Sequence, residues 1–396
     1  MLPSLGIPRL PVVPDPFRRI DVPDDLEPIT TVAAEAPAVD GGMEQRSVER
    51  IWETVERLYR SGVHPAISLC VRREGEVVCD RAIGYARGVG PASEPDEPIV
   101  ANTPETPHAI FSASKAITAM VAHILDERGH LHIGDRIAEY IPEYARHGKE
   151  TITLSYVMSH RGGVPNLPEE AFDLKNVHDR DAIVEILCDA RPQSRPGSAL
   201  AYHAISGGYI LGEVVHRVMG KPIDEVLAQL ILDPLDFRWT NYGVDPADTD
   251  KVADSHHTGA PVLPPLGGLL KRALGVSVAD AARLSNTDEF RTGTIPAGNT
   301  VTTANELSRL FELFRRGGEL DGVQVFEPRT MRRATTEQSY MEIDFTLGFP
   351  TRFSLGFMLG AQYLSLYGPD TEHAFGHLGF TNIIGWPIPS ARFRVP

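Results

Sequence analysis

Apolar residues recur at helical spacing soon after the N-terminal region of the chain. They lie three or four residues apart, as on one face of a helix: Val48, Ile51, Val55 and Leu58. Gly62 is a typical end for such a helix. An apolar run follows at residues 66–71, and after the dipeptide Glu74-Gly75 apolar residues return at 77–79 and 82–85. This pattern predicts an amphipathic helix and then a β-hairpin.

A second helix is predicted from Ser112 to about residue 128, and Gly129 is its expected C-cap. The next segment, residues 130–300, has a different character, because short helical stretches alternate there with loops rich in proline and glycine. The clearest helical stretches are 182–190 and 207–220. We therefore predict a mostly helical subdomain inserted after the Ser112 helix.

Helical and extended patterns return near residue 302. The segment from Thr303 to Glu306 has the form of a capping box, and the apolar stripe after it predicts a helix that ends at Gly317. A turn is predicted after that helix, at 320–323, and two strands are predicted further on: 354–359 and 382–386.

The length of 396 residues allows a large core and two subdomains. Residues 43–129 and 301–396 carry strands and helices on both sides of the helical insertion 130–300, which predicts one discontinuous α/β (α+β) subdomain built from both ends of the chain. Residues 1–42 are rich in proline and lack periodicity. They are expected to form an extended N-terminal arm, draped on the body or disordered.

The formal net charge of −15 argues against a nucleic-acid partner, which would require a basic surface. The first residues lack the basic and apolar regions of a signal peptide. The longest apolar run, residues 116–125, is too short to cross a bilayer. A soluble, cytoplasmic protein is the expectation.

Cysteine and histidine positions favour neither a disulfide framework nor a metal site. If Glu74-Gly75 is a two-residue turn, Cys70 lies opposite Cys79 on the paired strand; a disulfide is one alternative, and two free thiols in a reducing cytoplasm are favoured. Two histidine pairs lack a third ligand at matching spacing: His130 with His132, and His256 with His257. No metal or cofactor is expected.

The strongest candidate for chemistry is Ser112-x-x-Lys115 at the start of the second predicted helix. Residues three apart share a helix face, so the Lys115 amine can reach the Ser112 hydroxyl. A serine hydroxyl needs an adjacent base to act as a nucleophile, and the helix dipole adds a favourable field. Ser114 points elsewhere and is given a supporting role. Alone, this tetrapeptide is weak evidence, since a capping serine followed by a surface lysine has the same form.

Two later segments offer partners for Ser112. Tyr202 follows a Pro-Gly turn and precedes a helix, so it is predicted on a loop that faces a cleft; a buried structural tyrosine is the alternative. His377 stands between Gly376 and Gly379 beside a predicted strand, where glycine often marks the close approach of a ligand. A bulge with a solvated histidine is the alternative there.

These three segments, in this order, resemble the motifs of the penicillin-recognising serine hydrolases, and most of all the class C β-lactamase-like branch that includes the family VIII carboxylesterases. Residues 154–165 also resemble a segment of that family. The resemblance implies a β-lactamase/transpeptidase-like fold, an antiparallel sheet flanked by helices. It implies that Ser112 is the nucleophile, that Lys115 and Tyr202 share the general-base role, and that the backbone N–H groups of Ser112 and Phe380 form the oxyanion hole. His377 and Gly379 would line the substrate site.

Two departures from the family pattern favour a neutral ester as the small-molecule substrate. Where the lactamases have an asparagine two residues after the tyrosine, this chain has Ala204, and His377 replaces their third-motif lysine. Both changes weaken recognition of an anionic, amide-bearing lactam or D-Ala-D-Ala peptide. A carboxylesterase is thus predicted, with a β-lactamase or D-Ala-D-Ala peptidase as the alternative. The chain has no Gly-x-Ser-x-Gly elbow, which disfavours the α/β-hydrolase fold.

The family pattern stops at Trp386, and residues 387–396, which include three prolines, cannot supply the strand and long helix that the family adds there. The C-terminus is therefore expected to be shortened, or its last dozen residues to be read out of register; a shortened C-terminus would leave a sheet edge and one face of the first helix uncovered. Reduced stability, a homo-oligomer and lost activity are expected consequences. A truncated, non-catalytic acyl-binding member of the family is accordingly a third alternative.

Overall fold

The N-terminal part of the chain forms an antiparallel sheet with a helix against it. The computed structural model describes residues 15–91, 93–94, 96–168, 179–261, 267–268, 271 and 276–388. The sheet has the order β1-β3-β2, and β4 pairs with β3. Its strands are β1 Thr30–Val32, β2 Ala66–Arg73, β3 Glu76–Arg87 and β4 Val100–Ala101. Helix α1, Gln45–Tyr59, packs on the sheet through the buried side chains of Trp52 and Tyr59.

The proline-rich segment contributes to this sheet. Residues 1–14 of the predicted arm lie outside the described residues, whereas Thr30–Val32 pairs with β3. The predicted helix and hairpin are both present. Glu74 and Gly75 have φ angles of +52° and +95°, so both residues of the hairpin turn adopt the left-handed conformation that favours the strand twist.

The predicted pairing of Cys70 with Cys79 is wrong. A β-bulge shifts the register between Val71 and Arg72, so that Cys79 faces Val71 and Cys70 faces Asp80. The bulge adds one residue to β3, and a shift of one residue reverses the face to which a side chain points. Both thiols are free, and Cys70 accepts a hydrogen bond from the Ser308 hydroxyl at 3.1 Å.

Helix α2, Ser114–Glu127, lies at the centre of the main hydrophobic core. Every side chain from Ser114 to Leu125 is buried, which is the pattern of a helix covered on all sides. The helix begins two residues later than predicted, because Ser112 belongs to a short 3₁₀ turn, Phe111–Ala113. Gly129 follows the helix with a φ of +74°, as expected of a C-cap glycine.

The described residues of the segment 130–300 form mostly helices, and the longest of these helices packs against α2. The helices are α3 Ile137–Tyr140, α4 Leu154–Met158, α5 Arg180–Asp189, α6 Ser206–Met219, α7 Ile223–Leu227, α8 Val278–Leu284 and α9 Asp288–Thr292. A small sheet of order β5-β7-β6 ties this segment to the start of α2. Its strands are β5 His108–Ala109, β6 Asn241–Tyr242 and β7 Thr300–Thr302. The division into subdomains stays a prediction.

The predicted helix after Thr303 is α10, Ala304–Arg315, with the apolar stripe buried. Half of the capping box is present, since the Thr303 hydroxyl accepts the N–H of Glu306 at 3.1 Å. The Glu306 carboxylate instead accepts backbone N–H groups of residues 238–240. It therefore fixes a neighbouring loop and not its own helix end. The predicted turn joins β8, Glu319–Leu320, to β9, Val323–Gln324, and α11, Pro328–Ala334, follows.

A five-stranded antiparallel sheet of order β10-β11-β12-β13-β14 completes the fold. Its strands are β10 Ser339–Ile343, β11 Pro350–Phe353, β12 Met358–Leu359, β13 Phe375–Gly379 and β14 Ile383–Gly385. Only 358–359 of the predicted strand 354–359 is extended. Residues before it form a turn in which Gly356 has a φ of +110°, and a Cβ there would lie 2.1 Å from Ala119 on α2. The turn thus packs directly on the central helix.

Within the described residues, β2 and β14 are edge strands, and both contact α10. Residues 389–396, most of the predicted irregular C-terminus, lie outside the described residues, so its expected shortening stays a prediction. No helix in the described ranges is both long and apolar enough to cross a membrane.

Candidate active site

Ser112 occupies a constrained turn at the start of the central helix. Phe111, just before it, has a φ of +47°, a left-handed conformation that is uncommon for a bulky residue. The N–H of Ile110 donates to the carbonyl of Thr300 at 2.8 Å, which anchors the turn to β7. Phe111 and Ala113 are buried whereas Ser112 is partly exposed, so its hydroxyl is accessible.

Ser114, the neighbouring serine, has a structural contact. It is fully buried, and its hydroxyl accepts the N–H of Thr300 at 3.0 Å. This hydrogen bond joins α2 to β7 and leaves Ser112 as the accessible serine of the pair.

Lys115 lies one helical turn after Ser112 and is 8% exposed. Its Nζ donates to Ser112 Oγ at 3.0 Å and to the carbonyl of Ala297 at 2.9 Å. Burial lowers the pKa of Lys115 from 10.5 to about 7, because an ammonium is poorly solvated there. A substantial fraction of this amine is therefore neutral at physiological pH.

Tyr202 lies on the loop before α6, as predicted, and its side chain is buried beside Ser112 and Lys115. The Lys115 Nζ stands 4.9 Å from the centre of its ring. Burial raises the pKa of the Tyr202 phenol, and a hydrogen bond with the Ser112 side chain opposes that rise. The structure thus brings Ser112, Lys115 and Tyr202 together.

His377 lies in β13, and its ring centre is 6.1 Å from that of Tyr202. Its Nδ1 is 2.8 Å from the carbonyl of Leu378, so Nδ1 carries the proton and Nε2 presents a lone pair. Burial, and then the charge of Lys115, lowers the pKa of His377 to about 3. This imidazole is therefore neutral at physiological pH, and the side chain is not solvated as the alternative interpretation required.

Gly379 and Phe380 place the end of β13 against the Ser112 turn. A Cβ at Gly379 would lie 2.3 Å from the carbonyl oxygen of Ile110, so glycine permits this close approach. The Phe380 ring packs edge-to-face on Phe111 with centroids 5.4 Å apart. These contacts hold the backbone of Phe380 beside the turn that carries Ser112. The oxyanion-hole role of the two backbone N–H groups stays a prediction.

The wall beside Tyr202 is apolar. Ala204 is buried in a cluster with Tyr202, and the other buried members of the cluster are Leu200, Phe353, Met358, Tyr367 and Ala374. The Ala204 side chain offers no hydrogen bond to an amide. The side of the candidate site next to Tyr202 is therefore formed by apolar side chains.

Three further residues contact the candidate site, and the sequence patterns did not single them out. His160 packs on Tyr202 with ring centroids 4.7 Å apart, and His203 lies next to both of them. Asp344 accepts a hydrogen bond from the backbone N–H of Tyr202. His160 belongs to the family-like segment 154–165, whereas Asp344 lies beside strands that no sequence pattern predicted.

In the described part of the chain, no group of three or more His, Cys, Asp and Glu side chains is arranged as metal ligands. The pairs at 130–132 and 256–257 have protein contacts instead. His132 Nδ1 accepts the N–H of Gly134, and His257 Nδ1 contacts Arg18.

Comparison with known proteins identifies the family. A family model described as "Beta-lactamase" matches residues 50–395. The chain belongs to the beta-lactamase family. Among its relatives, "Esterase/beta-lactamase LipL" of Mycobacterium tuberculosis is 28% identical over 335 residues, which cover 81% of this chain and 74% of that protein.

Two solved structures share the fold of this member of the beta-lactamase family. A family VIII carboxylesterase has a TM-score of 0.73 and 25% identity, and the match covers 87% of this chain and 89% of the other. A penicillin-binding protein homolog from Caulobacter crescentus has a TM-score of 0.72 and 28% identity, and the match covers 85% and 86%. The predicted β-lactamase/transpeptidase-like fold is confirmed, and the family supports a serine hydrolase.

Proposed function

We propose that this chain is a serine carboxylesterase that forms an acyl-enzyme on Ser112. The observation that carries the proposal is the buried Lys115 amine, 3.0 Å from Ser112 Oγ, with its pKa lowered to about 7. A base with a pKa near the working pH combines a large neutral fraction with a useful affinity for the serine proton.

In the proposed acylation, Ser112 Oγ attacks the ester carbonyl while its proton passes to the Lys115–Tyr202 pair. A new Oγ–C bond forms, and the carbonyl oxygen takes the negative charge, which the N–H groups of Ser112 and Phe380 stabilise. The ester C–O bond then breaks, and the pair returns the proton to the leaving alcohol. Water attacks the acyl-enzyme in the same way and releases the acid. The two groups titrate together, so the proton belongs to the pair.

A neutral ester fits the surroundings of Ser112. His377 carries no charge at physiological pH, which removes an attraction for a substrate carboxylate, and Ala204 gives an amide no partner. The LipL relative is named as an esterase and the family VIII structure as a carboxylesterase, which supports the same substrate class.

A β-lactamase or D-Ala-D-Ala peptidase is the second candidate function. Two observations favour it: the LipL name joins esterase and beta-lactamase, and a penicillin-binding protein homolog is among the similar structures. The lactam ring is a cyclic amide, so the same nucleophile and base would open it.

A covalent probe tests the nucleophile. The native chain is treated with a fluorophosphonate and measured by intact mass, with Ser112→Ala and Ser114→Ala as matched variants of neighbouring serines. We expect one adduct on the native chain and on Ser114→Ala, and none on Ser112→Ala. An adduct that survives Ser112→Ala, or no adduct on the folded native chain, overturns the proposal.

A substrate comparison then tests the reaction. Hydrolysis of p-nitrophenyl butyrate and of a cephalosporin is measured on the same preparation, with Ser112→Ala as the blank. We expect ester turnover to exceed cephalosporin turnover by at least about tenfold, since the cephalosporin carboxylate meets no cation at residue 377. Cephalosporin turnover without esterase activity would establish the second candidate function instead.

A further inference from the structure

A small cavity of about 30 Å³ lies beside Lys115, on the side of α6. Its polar lining consists of Lys115, Thr118, His160 and His203, and the remaining lining is apolar or glycine. A volume of this size holds one or two water molecules. The proposed mechanism gives it no role.

His203 lines this cavity and carries an unsatisfied acceptor. The residue is 3% exposed, and its Nδ1 is 2.8 Å from the carbonyl of Ala201, so Nδ1 carries the proton. Its Nε2 therefore presents a lone pair, and this buried atom has no hydrogen-bond partner within the described residues. A buried acceptor without a partner is costly, which indicates that water occupies the cavity.

The other polar groups of the lining are already engaged. The Thr118 hydroxyl contacts the carbonyl of Pro296 and the hydroxyl of Tyr242. His160 Nδ1 accepts the N–H of His203 at 3.2 Å, so the second nitrogen of His160 carries the proton and cannot accept one. Among the described lining side chains, His203 Nε2 is thus the nitrogen or oxygen acceptor that has no hydrogen-bond partner.

Lys115 needs such an acceptor when it becomes an ammonium. An ammonium has three N–H donors, and two of them are directed to Ser112 Oγ and the carbonyl of Ala297. The third donor is available to water in the cavity that Lys115 lines. A buried charge with an unsatisfied donor is strongly unfavourable, so this third contact affects how readily Lys115 accepts a proton.

We propose that His203 is a positioning residue for Lys115: its Nε2 holds a water molecule in the cavity, and that water accepts the third N–H of the Lys115 ammonium. The inference rests on the proposed function, in which the Ser112 proton moves to Lys115 as the Oγ–C bond forms. His203 touches neither the substrate nor the reacting atoms. It acts through water on the stability of the ammonium.

The groups around Lys115 determine the sign of the effect. The titratable groups that face it are Tyr202, His160, His203 and His377, and beyond Tyr202 lies Asp344. Burial lowers the pKa of His203 to about 4 and that of His160 well below its usual value. Both are therefore neutral across the working range. Removal of the His203 acceptor destabilises the ammonium, and the pKa of Lys115 falls.

The test measures the pre-steady-state acylation rate with p-nitrophenyl butyrate against pH. His203→Phe keeps a ring of similar shape without a lone pair, and His203→Gln retains an amide that can both donate and accept. We expect His203→Phe to shift the acidic half of the profile downward by about one pH unit and to lower the plateau about tenfold, since a hydrogen bond to a charge is removed. His203→Gln should keep most of the native plateau rate and nearly the native position of the acidic half of the profile.

A second variant covers the case in which His203→Phe does not fold. In Gly207→Ala the added methyl lies 3.2 Å from Val157 Cγ1 and 3.3 Å from His203 Cβ, so it narrows the cavity while both histidine nitrogens remain. We expect the acidic half of the acylation profile to shift to lower pH, as in His203→Phe. A crystal structure of the native protein should show a water molecule within hydrogen-bond distance of His203 Nε2.

The results separate the two proposals. If fluorophosphonate labels Ser112 in a folded variant and the acidic half of the profile does not move, the role of His203 is refuted while the esterase proposal stands. A dry cavity in the crystal structure refutes it as well. If Ser112 is not labelled in the native chain, the proposed function itself fails.

Discussion

The Asp344 carboxylate fixes the backbone of Tyr202. Its Oδ1 accepts the N–H of Tyr202 at 3.1 Å, and the same oxygen accepts the N–H groups of Thr346 and Leu347 at 2.8 and 2.9 Å. Burial raises the pKa of Asp344, and these three hydrogen bonds act in the opposite direction. The turn after β10 is thereby joined to the loop that positions the Tyr202 phenol.

Replacement of Asp344 should separate the role of the acceptor from that of the charge. Asp344→Ala leaves three N–H groups without this acceptor, in two buried hydrogen bonds and one partly buried one, so we expect a loss of about 3 kcal/mol of unfolding free energy together with most of the esterase activity. Asp344→Asn keeps an oxygen acceptor and removes the buried charge, so it should be at least as stable as the native chain at pH 7. Urea unfolding measures the stability of both variants.

The pH dependence of unfolding sharpens this prediction. Since the pKa of Asp344 is raised in the folded state, native stability falls as pH rises from 3.8 through that raised value. Asp344→Asn should lack this fall. Equal destabilisation by asparagine and alanine would contradict the assignment of the acceptor.

The rate of acylation should rise with pH through about 7. Lys115 acts as a base only when it is neutral, and burial sets its pKa at about 7. The rate is therefore low below that pH, where the ammonium predominates, and levels off above it. Stopped-flow acylation between pH 5 and 9 measures the profile, with Ser112→Ala as the blank. A profile that is flat through this range would contradict a lysine base.

Lys115→Met should be inactive yet more stable than the native chain at pH 7. The buried amine destabilises the fold, because the unfolded chain binds a proton with a pKa of 10.5 and the folded chain with a pKa of about 7. This cost exceeds the hydrogen bonds that are lost, so we expect a gain of about 2 kcal/mol.

The slope of stability with pH provides the control for Lys115→Met. Native stability should rise between pH 7 and 10.5, because in this range the unfolded chain binds one proton more than the folded chain. Lys115→Met should lack this rise. Lower stability of the methionine variant at pH 7 would show that the hydrogen bonds outweigh the buried amine.

The sequence predicted the elements that carry long periodic patterns or motifs. The helices α1, α2, α6 and α10 follow from apolar residues at helical spacing, and the family follows from the order of the three motifs. The contact between Ser112 and Lys115 was predicted from their spacing of three residues, and it is present although Ser112 lies in the 3₁₀ turn just before α2.

Features that depend on contacts between distant segments were not predictable. The bulge that separates Cys70 from Cys79, and the use of Glu306 by the loop 238–240, both arise from tertiary packing. Strands β10 and β11 are short, and the loop between them interrupts any alternation. Asp344 therefore had no local signal, although it lies in direct contact with Tyr202.

Gly379→Ala should lower the esterase activity strongly while it leaves the rest of the fold largely unchanged. The added methyl would lie 2.3 Å from the carbonyl oxygen of Ile110, so β13 must move away from the Ser112 turn. Because the Phe380 N–H belongs to the proposed oxyanion hole, we expect a fall in kcat of at least about a hundredfold. Gly268→Ala, whose added methyl meets none of the described residues within 4 Å, is the control. Full activity of Gly379→Ala would place the oxyanion hole elsewhere.

His377→Lys should change both the substrate preference and the pH profile. The native imidazole is neutral, whereas a lysine here introduces a second amine beside Lys115. A second positive charge near Lys115 favours the neutral form of Lys115, so the acidic half of the pH profile of acylation should shift to lower pH by about one unit. The new cation should also attract a substrate carboxylate.

The comparison pairs a p-nitrophenyl ester that ends in a carboxylate with p-nitrophenyl butyrate, and His377→Gln serves as the neutral control. We expect the ratio of kcat/KM for the anionic ester to that for the neutral ester to rise about tenfold in His377→Lys and to stay near the native value in His377→Gln. A ratio that does not change in the lysine variant would show that residue 377 does not face the substrate, and the preference for neutral esters would then rest on Ala204 alone.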